Sequence, residues 1–216
     1  MRRVLRQERG ASRLWWARRR GAVVGLAALV AGLVLAAPGG ASAVGQATSP
    51  VRRGAFAWLI PTAPPPSWPT LVALPSRAAL AYPPSFRPVG ADPGSVSAAV
   101  EVSPGPYVAY LNATPREGPE RLHGFADFRV RLLSDDHDES VRLEAAGERL
   151  AFQGGTGSCV IDRYVTRVGH HEYREIACLV VDAHGAGDVV VATALTSRWT
   201  RYERQLMTAV RAFSIS

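Results

Sequence analysis

The chain contains no lysine: all 25 of its basic residues are arginine. That absence excludes Schiff-base chemistry, a P-loop lysine and serine–lysine dyads. Cysteine is almost missing too, being confined to Cys159 and Cys178. Neither directly follows the N-terminal apolar run, which excludes a lipid-modified N-terminus. Residues 21–216 also lack a charge excess of either sign, with 17 arginines against 17 acidic residues. The net charge of +7 sits wholly in residues 1–20, where Arg2, Arg3, Arg6, Arg9, Arg13, Arg18, Arg19 and Arg20 are opposed only by Glu8. A basic isoelectric point ordinarily raises nucleic-acid binding. Here the part beyond residue 20 has no surplus cation with which to displace phosphate counterions, so no nucleic-acid partner is expected.

After the arginines comes a run of Gly, Ala, Val and Leu over residues 21–37, then Pro38, Gly39 and Gly40. Basic segment, apolar helix and helix breaker are the order of an export signal. Ala41, Ser42 and Ala43 place small residues where a signal peptidase reads, which predicts cleavage after Ala43. The run is also longer than a usual signal core, and as a helix spans about 26 Å, the short end of a transmembrane segment. Residues 1–43 are therefore a signal peptide or a membrane anchor, with residues 21–37 the contact with the membrane. In both cases the arginines stay cytoplasmic and everything after about residue 44 lies outside. Arg18 and Arg19 also form a twin-arginine pair, but three consecutive arginines fit an ordinary basic region better.

Residues 44–76 hold Pro61, Pro64, Pro65, Pro66, Pro69 and Pro75 and read as a Pro-rich linker. Its apolar insertions, residues 56–60 and 68–74, are unusual for a free tether and point to contact with the domain or the membrane surface. Residues 77–216 are long enough for one domain with its own core. Apolar runs predict strands over 78–82, 96–102 and 107–111, and a helix over 119–133. Residues 141–152 read as one or two strands around Gly147. Further strands are predicted over 158–166, 172–182 and 188–196. The last helix is the clearest element, because Trp199, Tyr202, Leu206, Ala209, Val210 and Phe213 follow a 3.6-residue stripe. Thr200 and Glu203 have the spacing of a capping box. Strands in series with one central and one terminal helix define an α+β layer fold on an antiparallel sheet.

The two cysteines fall on consecutive predicted strands. If Val168 and Gly169 centre the turn between them, Cys159 faces Cys178 across an antiparallel ladder, and an oxidising compartment would close a disulfide. The same register opposes Asp162 to Glu175 and Arg163 to Arg174, two like-charge pairs that are unfavourable unless a bulge near Arg163 or strong twist relieves them.

Candidate chemistry is sparse. The acidic run at residues 135–139 lacks the spacing of a calcium loop and reads as a solvated turn. His170 and His171 sit at a hairpin tip. Gly154, Gly155 and Gly157 precede a strand rather than a helix and lack a phosphate-cradling context. No catalytic triad, carboxylate pair or metal-ligand set stands out, so no catalytic residue, metal or cofactor is assigned. Two polar residues inside apolar strands, Asn112 and Asp162, are the candidate binding residues. Trp68, Tyr110 and Trp199 are the aromatics that suggest a small lipophilic ligand.

The segments Tyr82-Pro83-Pro84-Ser85-Phe86, Tyr110-Leu111-Asn112-Ala113-Thr114-Pro115, Gly157-Ser158-Cys159-Val160 and Glu175-Ile176-Ala177-Cys178-Leu179-Val180 resemble a group of exported actinobacterial proteins similar to the PsbP-like superfamily. That superfamily includes a photosystem extrinsic subunit, a Ran-release factor and mycobacterial Lpq-type lipoproteins. The resemblance covers about residues 68–216. It implies an α/β/α sandwich on a curved antiparallel sheet, serving as a non-catalytic binding or assembly module; with the export signal, the expectation is a binding or scaffolding module of the cell envelope whose partner is an envelope protein or lipid. An envelope hydrolase or transferase and a carrier of a small lipophilic molecule are the alternatives.

Overall fold

Some segments of this chain are apolar on both faces, and only a sheet covered on both sides can use them. In Glu172–Val181 and Gly187–Leu195 nearly every interior residue is buried. The computed structural model describes residues 54–74, 76–102 and 105–216. The leader, with Ala41 and Ala43, lies outside the described residues.

In chain order the elements are β1 (Thr70–Val72), β2 (Ala79–Ala81), β3 (Arg87–Val89), β4 (Val96–Glu101), β5 (Tyr107–Pro115), α1 (Phe125–Asp135), β6 (Glu139–Phe152), β7 (Gly155–Val165), β8 (Glu172–Val181), β9 (Gly187–Leu195) and α2 (Trp199–Ala212). The main sheet is antiparallel, in the order β3-β4-β5-β9-β8-β7-β6. One face meets α1, where Phe125 packs with Val160, Ala177, Leu179, Val189 and Val191. The other meets α2, whose Trp199, Tyr202, Leu206, Ala209 and Val210 join Ile161, Ile176, Val190 and Ala192. Each fully buried Leu or Val contributes about 1.5–3 kcal/mol, so both layers are held chiefly by apolar burial. This is the α+β sandwich expected from the order of elements.

The packed unit begins earlier than residue 77. Phe56 and Leu59 are buried in the main core, and β1 pairs with β2. The stretch read as a Pro-rich linker is, from Phe56 onward, a wall of the α2 layer, because its aromatic and aliphatic insertions find an apolar surface to cover. Gly147 makes room for it: a Cβ there would come within 2.8 Å of the Phe56 ring. A second join closes the layer from the other end. Ala79 and Ser214 exchange backbone hydrogen bonds of 2.8 and 3.3 Å, and the Ile215 N–H donates to Gln153 O at 3.1 Å. Gly154, at φ 83°, is required here, since a Cβ would lie 1.9 Å from Ile215 O.

Other boundaries shift for local reasons. The central helix starts at Phe125, not at residue 119, because Gly124 is left-handed at φ 77° and breaks the upstream turn. The exposed Glu148 carboxylate of β6 accepts the Gly124 N–H at 3.2 Å, in place of a cap from the helix's own sequence. The Thr200–Glu203 capping box does not form. A 3₁₀ turn, Thr196–Arg198, runs straight into α2, which leaves Thr200 inside the helix. Residues 139–152 form one strand, and its three register shifts against β7 absorb the irregularity sensed around Gly147.

Cys159 and Cys178 are paired residues of β7 and β8, their Cα atoms 4.0 Å apart, and they form the expected disulfide. Both are buried in the α2-side core. Replacing both by alanine is expected to cost about 3 kcal/mol from the chain entropy of a loop of this length. Thermal unfolding should then fall by roughly 10 °C, and an unchanged midpoint would contradict a structural role for the bridge.

Candidate functional site

The β7–β8 register opposes like charges, Asp162 to Glu175 on the α1 side and Arg163 to Arg174 on the α2 side. No bulge interrupts this pair of strands. Relief comes instead from outside them, once on each face.

On the α1 face the counter-charge is Arg129. Its guanidinium, 1 % exposed, donates from Nε to Glu175 Oε1 at 2.7 Å, and Tyr164 donates its hydroxyl to Glu175 Oε2 at 3.4 Å. Asp162 lies beside this pair, 0 % exposed, and among the described residues neither of its carboxyl oxygens has a hydrogen-bond partner. Burial, reinforced by the Glu175 carboxylate and only partly offset by Arg129, pushes the Asp162 carboxyl well above the usual range. Arg129 thus bonds Glu175 directly, while burial disfavours the charged form of Asp162 beside them.

Nearby, Asp138 accepts the Arg167 N–H at 3.2 Å and is pushed up to about 6 by burial. Asp188 at the start of β9 is 1 % exposed, accepts the Ser76 hydroxyl at 2.8 Å, and is likewise raised by burial to about 6.

On the α2 face the counter-charge is Glu144. It is the extra residue of a bulge in β6: Leu143 pairs with Asp162, whereas Ala145 pairs with Ile161. Bulges re-aim a side chain, and here the carboxylate is turned toward both opposed arginines. It pairs with Arg163 and accepts Arg174 Nε at 2.7 Å. Arg174 also reaches Glu203 of α2 at 3.9 Å and stacks over the Trp199 ring, 4.8 Å from its centroid. One strand further out, Arg142 of β6 is paired with Arg163. Three arginines therefore form a row across β6, β7 and β8.

That row walls an open cleft of about 710 Å³ between the sheet, α2 and the segment at Ala55 and Trp58. Ile161, Ile176, Trp199 and Met207 supply its apolar surface. Trp199 is 6 % exposed, and its indole N–H has no hydrogen-bond partner among the described residues. The cleft can hold a molecule that presents oxygen acceptors to guanidinium groups and hydrocarbon to the aromatic and aliphatic side.

Of the residues singled out from sequence, Asp162 sits in the buried cluster on the opposite face. Asn112 lies in β5, three strands away in the sheet order, and is 8 % exposed. Its amide donates to Ser97 Oγ at 2.9 Å and Val96 O at 3.3 Å, and Ser97 also meets Tyr110 OH at 2.7 Å. The structure does not bring Asn112 and Asp162 together, and neither lines the cleft. Of the three aromatics, Trp199 alone lines it. Arg142 and Glu144 went unrecognised because the β6 bulges set their partners. Arg129 carried a signal: it falls four residues from Phe125 and from Leu133, on the buried stripe of its helix.

No protein-family model and no curated protein sequence matches the chain. The fold is that of PsbP-like proteins. The solution structure of the cyanobacterial PsbP protein CyanoP from Synechocystis sp. PCC 6803 is similar at TM-score 0.50 and 15 % identity, over 69 % of this chain and 92 % of that one. LpqN of Mycobacterium tuberculosis, described as involved in cell envelope biogenesis, is similar at TM-score 0.44 and 13 % identity, over 69 % of this chain and 90 % of that one. The Saccharomyces cerevisiae Ran-binding protein Mog1p is similar at TM-score 0.43 and 10 % identity, over 67 % of this chain and 86 % of that one.

The buried cluster makes two outcomes measurable. Arg129→Met should destabilise the domain by about 3–5 kcal/mol in urea titrations, because it strands Glu175. Arg129→Met combined with Glu175→Gln should recover part of that loss, and a double variant no better than the single would refute the pairing. For Asp188 the folded value of about 6 lies above the ordinary carboxylate value. Its contribution is fully present below about pH 4 and is lost as pH rises through about 6, an effect of roughly 3 kcal/mol. Melting curves should show Asp188→Asn losing that downward slope between about pH 4 and pH 6, while an Asn variant with the parent's slope would count against it.

Proposed function

We propose that this chain is a non-catalytic binding module on the extracytoplasmic side of the cell envelope, and that the arginine-walled cleft is its binding surface. The leader of residues 1–43 supports the location, and the buried Cys159–Cys178 bridge fits an oxidising compartment. The observation that carries the reading is the cleft itself, whose volume falls within the roughly 300–1,000 Å³ of small-molecule sites.

Binding is favoured over catalysis by the lining. Among the described residues it includes no Ser, Thr, Cys, His or Tyr. Its two carboxylates, Glu144 and Glu203, are engaged by arginines rather than set as an acid–base pair.

The test uses the full chain, recovered under native conditions from envelope fractions. Native mass spectrometry should find a non-protein mass on the chain. A Met207→Cys variant blocked with a bulky maleimide should lack it, since Met207 lines the cleft. An alkylating reagent applied to the acid-quenched, denatured chain should leave Cys159 and Cys178 unmodified until reductant is added. A ligand retained after the cleft is blocked, or native thiols modified without reduction, would defeat the proposal.

A further inference from the structure

We infer that the cleft takes an amphiphile with an anionic headgroup, its phosphate or carboxylate oxygens held by Arg142 and Arg163 and its hydrocarbon tail laid against Trp58, Ile161 and Met207. This rests on the cleft being the binding surface, and adds the class of ligand.

The charge arrangement is the first reason. Arg142, Arg163 and Arg174 are directly opposed on three adjacent strands, which lie about 4.8 Å apart. Like charges so placed cost about 0.2–1 kcal/mol per pair. Only two carboxylates line the same cleft, which leaves it one positive charge in excess. Glu144 serves Arg163 and Arg174, and Glu203 approaches Arg174. Arg142 is exposed and has no ion pair among the described residues. A phosphate or carboxylate is the natural bidentate partner for adjacent guanidinium groups.

Trp199 gives the second reason. A buried N–H without a partner costs about 1–3 kcal/mol, and this one belongs to a residue of the cleft's own lining. A ligand oxygen would satisfy it. The apolar side matches a flexible chain rather than a rigid group, because Met207 adapts to irregular contacts and the tryptophan ring offers a broad flat surface.

Third, the tether ends at this spot. Residues 38–54 are 17 residues and span at most about 60 Å. They join the apolar run at 21–37 to Ala55 and Trp58, which line the cleft. With residues 21–37 in a membrane, as the proposed location has it, the opening would lie within that distance of a bilayer before any cleavage, where molecules with an acidic head and a hydrocarbon tail are abundant.

The experiment uses the full chain in the neutral detergent dodecyl maltoside, probed with dodecyl phosphate that carries a diazirine in its tail. Photolysis should label the peptides containing Trp58 and Met207. Untagged dodecyl phosphate should compete, whereas inorganic phosphate and additional dodecyl maltoside should not. Arg142→Gln should raise the half-saturating concentration about tenfold or more, and Arg142→Lys should recover part of the loss. Circular dichroism would confirm that both variants fold. Equal labelling by an uncharged diazirine alcohol, or no effect of Arg142→Gln, would remove the anionic headgroup and leave the cleft as an apolar site. Competition by inorganic phosphate would make it a free-anion site. Competition by an acidic peptide but not by dodecyl phosphate would point to a protein partner, overturning the inference. Labelling of the cleft by no probe would overturn both the ligand class and the binding surface.

Discussion

The arrangement turns on one constraint: two pairs of like charges set opposite each other in β7 and β8. Neither strand can neutralise the other, so the compensation must come from neighbours. On one face it fixes α1, whose Arg129 bonds Glu175 and lies within electrostatic reach of Asp162 in the buried layer. On the other it fixes the path of β6, whose bulge turns Glu144 toward Arg163 and Arg174. Apolar burial holds the layers together, but it is indifferent to small slides of a helix along a sheet. The charged groups are not, because an unpaired ion in a dry layer costs several kcal/mol.

The two solutions differ in wetness, and the difference separates structure from function. Around Arg129 the charged groups are buried to within 1 % of full, which closes the cluster to a ligand. Around Arg163 the side chains remain 22–36 % exposed, and the excess is a cation. A half-open site with surplus positive charge is able to trade one anionic partner for another. The same register thus produces a closed cluster on one side and a half-open cleft with an excess arginine on the other.

Much of the fold was legible in the sequence because the relevant signals are local. The stripe of α2 and the turn at Val168 and Gly169, which sets Cys159 against Cys178, need no knowledge of distant residues. Strand β3 was not legible, since Arg87-Pro88-Val89 is a short edge segment with two exposed residues and no periodicity. The packing of Phe56 and Leu59 was legible only as an apolar insertion in need of a surface, because the proline-rich stretch around them offers no periodicity to say which one. Asp162 and Asn112 stood out as polar residues in apolar strands, yet their surroundings, Arg129 on a helix and Ser97 on a neighbouring strand, depend on the assembled layers. The cleft was least visible, because Arg142 meets Arg163 only through a register that three irregularities in β6 determine.

The seam at Ser214 carries a consequence for how the chain is made. Residues 213–215 stitch β2 to the turn between β6 and β7, so an early-synthesised piece of the domain is closed by a late-synthesised one. Loss of residues 213–215 would therefore unfasten β2 from the turn between β6 and β7 and take Phe213 and Ile215 out of the α2-side core.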